Sequence, residues 1–393
     1  MGIKTKFNPM GGRSGSNEPD LGNLSLWRYS NEVISGKTLL YNYTAEYPVP
    51  LYVPKAKGKA IINDWYNVAS SGTTDTDRNT PFCDNQAVIS VDFQGVNFRN
   101  NSMFNAFYRC TNLVSVVNTP KNVINMAKTF MYCSSFNQNV QMPNLVTNMF
   151  ETFNSCFNLN QNIQIPNTVL NMSNAFSGCY SLNQNIKIPD SVTDVANAFS
   201  GCNNLNQNIQ IPNSVTTMSR TFQACSNLNQ NIIIPDSVTN ILRTFINCHS
   251  LNQNIQISNS VTEMVYTFSD CYNLNQNIRI PDSVTIMSRT FQSCYNLNQN
   301  IRIPDSVTNM YSTFYNCRNL EATINILSPI LSDATLCFGG PNPLKLKRVF
   351  IPYKWSNGTY TATFNAFKSA GYIYANEVST GQHNTIFNDI GIL

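Results

Sequence analysis

Thiols are the most regularly spaced reactive groups in this 393-residue sequence. Ten of its twelve cysteines follow one another at intervals of 23 residues, whereas zinc sites and disulfide scaffolds use short paired spacings. Bridges between neighbouring repeats are sterically allowed, but free cysteine is among the most often buried residues. We therefore expect a structural column of buried free thiols that pack as small apolar groups. The column comprises Cys110, Cys133, Cys156, Cys179, Cys202, Cys225, Cys248, Cys271, Cys294 and Cys317.

Paired carboxylates offer a second chemistry, the cleavage of glycosidic bonds. Asp282 and Asp305 lie one repeat apart, but each follows a proline and precedes a serine, which is a turn signature. The only histidines are His249 and His383, and no nucleotide loop, metal-ligand cluster or catalytic triad pattern is present. We expect a protein that is not an enzyme and requires neither cofactor nor metal.

Side-chain amides, arginines and tyrosines form further columns with the same period. Amides offer donors and acceptors to hydroxyl-rich ligands, and neighbouring arginines suit an acidic sugar or a carboxylate. Adjacent tyrosines just after the cysteine suggest a stacking platform for a sugar ring. The alternatives are a solvated face or a hydrogen-bonded asparagine ladder, and tyrosines that only shield the end of the predicted helix. The predicted binding face comprises Asn277, Arg279, Asn300, Arg302, Tyr272 and Tyr295.

The apolar positions of each repeat indicate which elements would hold these side chains. Ile186 and Ile188 alternate with polar residues, which predicts a short strand that ends at Pro189. Between Val195 and Cys202, apolar residues fall at offsets 0, 3, 4 and 7. This spacing predicts one face of a helix of about two to three turns.

A unit of this size cannot bury its apolar face alone, so the repeats are expected to stack. The predicted fold class is α/β: a leucine-rich-repeat-like solenoid of about ten 23-residue coils with a parallel strand ladder and short helices. A parallel β-helix is the alternative. Residues 1–26 read as a flexible arm and residues 27–99 as a non-repeat, β-rich cap. The solenoid covers residues 100–326, and residues 327–393 form a second cap with a region for subunit contacts.

Composition restricts the partners of such a chain. Charged residues make up 12% of the sequence and the net charge is +4, which is too mild for a protein that follows a phosphate backbone. No apolar run is long enough to cross a bilayer, and no apolar region follows the basic start "MGIKTKFNPMGGRSGS". We expect no nucleic acid partner and no membrane insertion.

The repeated sequence segments resemble those of a known family. "FNQNVQMPNLVTNMFETFNSC" (136–156) and "IPDSVTNILRTFINC" (234–248) are similar to BspA-type leucine-rich repeats, and "FNQN…VTNM…F" also resembles mycoplasma-type repeats. "LKRVFIPYKWSNGTYTATFNAFKSAGYI" (346–373) resembles the closing cap of such arrays. Members of this family are mostly surface proteins linked to adhesion and carry no catalytic residues. The resemblance therefore implies a binding protein.

The opening peptide "MGIKTKFNPMGG" is similar to those of structural proteins of phages. Together these resemblances imply a virion protein, a fibre or decoration component that attaches to a host-surface glycan or protein. The arm would bind other virion proteins through Ile3, Phe7, Pro9 and Met10, and the chain would form a trimer or dimer. A bacterial cell-surface adhesin is the alternative, and a polysaccharide depolymerase is the third interpretation.

Overall fold

The computed structural model describes residues 37–40, 58–62, 82–84, 86, 88–93, 101–341 and 348–350. The chain divides into two compact units, Met1–Val192 and Thr193–Leu393. Each unit stacks its repeats, here called coils, so that each position in a coil lies next to the same position of the following coil. The predicted arm, with Ile3, Phe7, Pro9 and Met10, lies outside the described residues.

The first unit contains a four-stranded parallel sheet in the order β1-β2-β3-β4. Its strands are β1 (Lys37–Leu40), β2 (Gly58–Ile62), β3 (Val88–Asp92) and β4 (Ser115–Val117). Val91 of β3 lies opposite Val116 of β4, and both side chains are buried. The region preceding the repeats therefore extends the strand ladder of the first coil.

The second unit contains two further parallel sheets. One joins β5 (Ile232–Ile233) to β6 (Ile255–Gln256). The other joins β7 (Ile301–Ile303), β8 (Thr323–Ile326) and β9 (Arg348–Phe350) in that order. The register advances by one repeat, as in the pairing of Ile301 with Ile324, so that isoleucines of successive coils pack above one another in the core.

Regular strands do not form in every coil, which corrects the prediction made for Ile186 and Ile188. Both side chains are buried, but their segment belongs to no strand. Asparagine side chains near this segment accept backbone N–H groups of the next coil, as Asn160 Oδ1 does from Asn183 at 2.9 Å. Amide side chains thus replace part of the backbone ladder.

The predicted helix between Val195 and Cys202 does not form, and the described residues contain no helix. The segment consists of successive turns whose N–H groups alternate in direction. Ala198 N–H donates within its coil to Val195 O at 2.9 Å, whereas Phe199 N–H donates to Thr221 O of the next coil at 3.0 Å. A helix would direct both N–H groups along its own axis.

Backbone dihedral angles explain why this segment is not helical. Asn197 and Gly201 have φ angles of 53° and 74°, in the left-handed region that interrupts a right-handed helix. The same two positions have positive φ in other coils, for example at Lys128 and Tyr132. Two successive turns bring residues at offsets 0, 4 and 7 inward, which is why the spacing resembled a helical face.

Phenylalanines form the centre of the core in both units. In the first unit, the rings of Phe107, Phe130, Phe153 and Phe176 stack with centroid separations of 5.3 to 5.5 Å. In the second, separations from Phe199 through Phe314 are 5.5 to 5.8 Å. These nearly parallel rings account for the strict 23-residue period of phenylalanine.

Stacking continues beyond the boundaries predicted for the solenoid, residues 100–326. Phe82 stacks on Phe107 with centroids 5.2 Å apart. Phe338 stacks on Phe314 at 5.5 Å, and Phe314 N–H donates to Cys337 O at 2.8 Å. Cys337 lies 20 residues after Cys317 and is not in the cysteine position of its coil: it directly precedes Phe338, as Thr313 precedes Phe314, and it is buried.

Candidate functional site

The ten periodic cysteines are fully buried and free. Their thiols donate hydrogen bonds in addition to packing as apolar groups. Cys248 Sγ donates to Phe222 O at 3.0 Å, and the same oxygen accepts the N–H of Cys225 at 3.1 Å. Within each unit, this thiol column therefore links a coil to the carbonyl group of the preceding coil.

Burial raises the pKa of seven of these thiols well above the ordinary value, namely Cys133, Cys156, Cys225, Cys248, Cys271, Cys294 and Cys317. For Cys133 and Cys156 the main cause is desolvation, followed by the neighbouring thiol of the next coil, while a backbone hydrogen bond acts in the opposite direction. A thiolate is the reactive form of cysteine, so these groups are unreactive at neutral pH. The thiol column is structural.

A column of buried threonines was missed by the sequence analysis. Thr244 Oγ1 donates to Met218 O of the preceding coil at 2.7 Å, and Thr290 Oγ1 donates to Met264 O at the same distance. The signal was a threonine four residues before most periodic cysteines. This threonine column includes Thr129, Thr152, Thr221, Thr244, Thr267, Thr290 and Thr313.

The residues that follow the cysteines form an aromatic column on the surface of the second unit. His249 stacks on Tyr272 with centroids 4.4 Å apart, and Tyr272 stacks on Tyr295 at 4.7 Å. The guanidinium group of Arg318 covers the other face of Tyr295 at 4.3 Å. Because both faces of each tyrosine are covered, a sugar ring cannot lie flat on them, and only ring edges and hydroxyl groups are available.

The phenol of Tyr272 remains a hydrogen-bond donor at neutral pH. Its pKa is raised by desolvation, and the negative charge of Asp270 and the neighbouring Tyr295 add to the shift. Tyr272 therefore presents a neutral hydroxyl group at the exposed edge of the aromatic column.

An open groove of about 530 Å³, here called the asparagine groove, begins at the residues directly after the aromatic column. Seven asparagines and one serine from successive coils form its walls. They are Asn229, Ser250, Asn252, Asn273, Asn275, Asn296, Asn298 and Asn319.

Asparagine side chains in this groove use their two ends differently. Asn252 Oδ1 accepts the backbone N–H of Asn275 at 2.8 Å, and Asn275 Oδ1 accepts that of Asn298 at 2.8 Å. The Nδ2 groups of Asn252 and Asn275 donate no hydrogen bond within the part of the chain that the structure describes. These hydrogen bonds from one coil to the next hold each side-chain amide in place, and its Nδ2 group remains available as a donor in the groove.

The predicted binding face is partly engaged within the protein. Arg302 forms an ion pair with Asp282, with Nη1 and Oδ1 2.6 Å apart. Asn300 Oδ1 accepts the N–H of Thr323 at 2.9 Å. Asn277 and Arg279 are exposed and make no hydrogen bond or ion pair to other described residues.

The described residues contain no group of three or more histidine, cysteine or acidic side chains arranged to hold a metal ion. They also contain no helix of the length and hydropathy needed to cross a membrane.

Comparison with solved structures identifies the class of fold. A leucine-rich repeat protein from Bacteroides ovatus ATCC 8483 matches 84% of this chain and 82% of its own, with 20% identity and a TM-score of 0.51. A weaker match is a leucine rich cell surface protein from Faecalibacterium prausnitzii A2-165, which covers 77% of this chain and 92% of its own, with 22% identity and a TM-score of 0.39. Another is a leucine-rich repeat protein from Eubacterium ventriosum ATCC 27560, which covers 73% of this chain and 86% of its own, with 17% identity and a TM-score of 0.34. The Bacteroides ovatus match shows that the chain has a fold of the leucine-rich-repeat type.

The family model described as "Mycoplasma protein of unknown function, DUF285" matches residues 100–211, 170–277 and 234–327. These overlapping matches cover more than half of the sequence, and the chain belongs to that family. The repeat resemblance inferred from the sequence is thereby confirmed. No curated protein matched the sequence.

Proposed function

We propose that this chain is a non-enzymatic binding protein whose asparagine groove holds a hydroxyl-rich ligand, a surface glycan. The observation that carries the proposal is the set of unused amide donors at Asn252 and Asn275, held in register by the ladder. Sugar hydroxyl groups would accept from these amides, and the hydroxyl groups of the aromatic column would supply further donors.

Replacement of Asn275 by aspartate tests this proposal. Aspartate keeps the oxygen that accepts the N–H of Asn298 but replaces the amide donor with a second acceptor. We expect glycan binding on an array and by calorimetry to weaken at least about fivefold, the effect of losing one neutral hydrogen bond.

Asn137→Asp is the matched control. Asn137 Oδ1 accepts the N–H of Asn160 at 2.9 Å and Nε2 of Gln161 at 3.2 Å, as Asn275 does with Asn298 and Gln299, but Asn137 lies outside the groove. The control should bind like the wild type. Glycan binding as tight as that of the wild type in both Asn275→Asp and Asn137→Asp would exclude the groove as the binding site.

The biological setting proposed is a phage fibre or decoration protein that attaches to a host-surface glycan or protein. The similarity of the opening peptide to phage structural proteins supports this setting. The arm would bind other virion proteins, and the chain would assemble as a trimer or dimer. Deletion of residues 1–12 should abolish incorporation into particles, and unchanged incorporation would exclude the arm as the docking segment.

A bacterial cell-surface adhesin is the alternative setting for the same groove. Surface labelling of the producing cells in the absence of phage particles would favour it. The depolymerase interpretation requires free carboxylates at Asp282 and Asp305, and the ion pair between Asp282 and Arg302 argues against that arrangement. Release of reducing ends from a polysaccharide by the wild type, but not by Asp305→Asn, would support the depolymerase interpretation.

A further inference from the structure

Two departures from the repeat pattern lie in neighbouring coils. Ile233 occupies a column in which the other coils from Gln141 to Arg302 carry glutamine, lysine or arginine. Ser258 interrupts a column that is otherwise proline from Pro120 to Pro304. Neither substitution is required for stacking, because the remaining coils stack without it.

Both residues line a single open cavity of about 480 Å³, here called the isoleucine pocket. Ile233 is 59% exposed, and Ile211 and Ile257 beside it are half-buried. The pocket shares no lining residue with the asparagine groove. It therefore offers apolar surface where the equivalent surface of other coils is polar.

Ser258 adds a polar group that proline cannot supply. Its carbonyl oxygen accepts the N–H of Val261 at 3.3 Å, as Pro212 O does from Val215 at 3.1 Å, so the turn is the same in both coils. The N–H of Ser258 donates to no other described residue, although Ser258 is 6% exposed. Because Ser258 lines the pocket, its N–H is a hydrogen-bond donor that the proline of the other coils cannot offer to a ligand there.

The remaining lining residues define the chemistry of that ligand. Asn231 and Gln256 bring exposed amides to the pocket, and Asp236 brings a carboxylate. A carboxylate at the pocket disfavours an anionic ligand and accepts hydrogen bonds from hydroxyl groups. The complementary ligand is neutral, with hydroxyl groups, a small apolar group and a strong acceptor next to it.

We propose that the isoleucine pocket binds an N-acetylated amino sugar. The acetamido methyl group packs on Ile233 and Ile257, and the acetamido oxygen accepts the N–H of Ser258. The sugar hydroxyl groups pair with the amides and with Asp236. The site is separate from the asparagine groove and does not depend on it.

Reversion to the repeat consensus tests the pocket without disturbing the fold. Ile233→Gln and Ser258→Pro introduce residues that other coils carry at these positions. Calorimetry with tri-N-acetylchitotriose and with cellotriose compares two trisaccharides, of which only the first carries acetamido groups. The wild type should bind the acetylated sugar more tightly, and each reversion should weaken that binding at least about fivefold.

Lys187→Gln is the control, because it changes the same column outside the pocket and should leave binding unchanged. Acetylated-sugar binding that survives both reversions but is lost in Asn275→Asp would overturn the pocket and support the groove. Equal affinity for the two sugars would overturn the acetamido assignment. Binding of an acetylated lysine peptide that depends on both residues, without binding of the sugar, would also overturn it.

Discussion

Cys133 Sγ donates a 3.0 Å hydrogen bond to the carbonyl oxygen of Phe107, one coil earlier. The same oxygen accepts the N–H of Cys110 at 3.0 Å. One carbonyl group thus closes the turn of its own coil and anchors the next coil. The arrangement recurs in both units and explains why the position carries cysteine, which is small, apolar and able to donate.

Cys248→Ala should lower the free energy of unfolding by about 1 to 2 kcal/mol, because a buried hydrogen bond and part of the packing are lost. Urea denaturation followed by circular dichroism measures this change. Cys83→Ala is the control, since Cys83 is half-buried and outside the thiol column, and should change stability by less than about 0.5 kcal/mol. Equal effects would show that the thiol column has no special role.

Alkaline pH should destabilise the protein through the thiol column. Because burial raises the pKa of thiols such as Cys225, the folded state holds protons that the unfolded state releases. This contribution is complete below the unfolded thiol pKa of about 8.5 and is lost as the pH rises. Above that value the free energy of unfolding should fall by about 1.4 kcal/mol per pH unit for each thiol.

Urea titrations across this alkaline range measure the slope. Cys248→Ala should reduce the slope by about 1.4 kcal/mol per pH unit, since one raised pKa is removed. A slope that is the same in variant and wild type would contradict the assignment.

Thr244→Val removes one donor of the threonine column and keeps the shape of the side chain. The hydroxyl of Thr244 is fully buried and bonds to Met218 O, so we expect a loss of about 1 kcal/mol in thermal or urea unfolding. Thr239→Val, at an exposed position, should be nearly neutral. A neutral Thr244→Val would mean that the buried hydroxyl does not stabilise the stack.

Ala224→Gly distinguishes the turns from a helix. Ala224 has a φ of 56°, where glycine is the better residue, so the variant should be neutral or more stable by up to about 1 kcal/mol. In a helix the same change would destabilise by about 1 kcal/mol. Ala198→Gly, at a buried position without positive φ, is the control and should be destabilising.

Periodicity alone was enough to predict the stacked repeats and the inward columns. A residue such as Phe130 that recurs at a fixed interval must occupy equivalent positions, whatever the local backbone conformation. The spacing from Val195 to Cys202 could not determine that conformation, because a helix and a pair of turns bring the same offsets inward. Gly178 and Gly201, each directly before a cysteine, were the available sign of positive φ.

The polar surface was harder to predict than the core. The repeat spacing predicted Arg302 on a binding face, but the ion pair of Arg302 with Asp282 depends on a turn geometry that spacing does not reveal. The asparagine groove was missed because residues such as Asn252 and Asn275 had no role in the strand pattern. Only the stacked structure shows that their Oδ1 atoms accept hydrogen bonds from the next coil, whereas their Nδ2 groups donate none to described residues.

Because successive coils within each unit bond through the same carbonyl and thiol groups, one copy can be inserted or removed without altering the contacts between its neighbours. Unequal recombination between the nearly identical gene segments would therefore lengthen or shorten the array in whole steps. The number of coils could in this way change in a single step, without any point mutation.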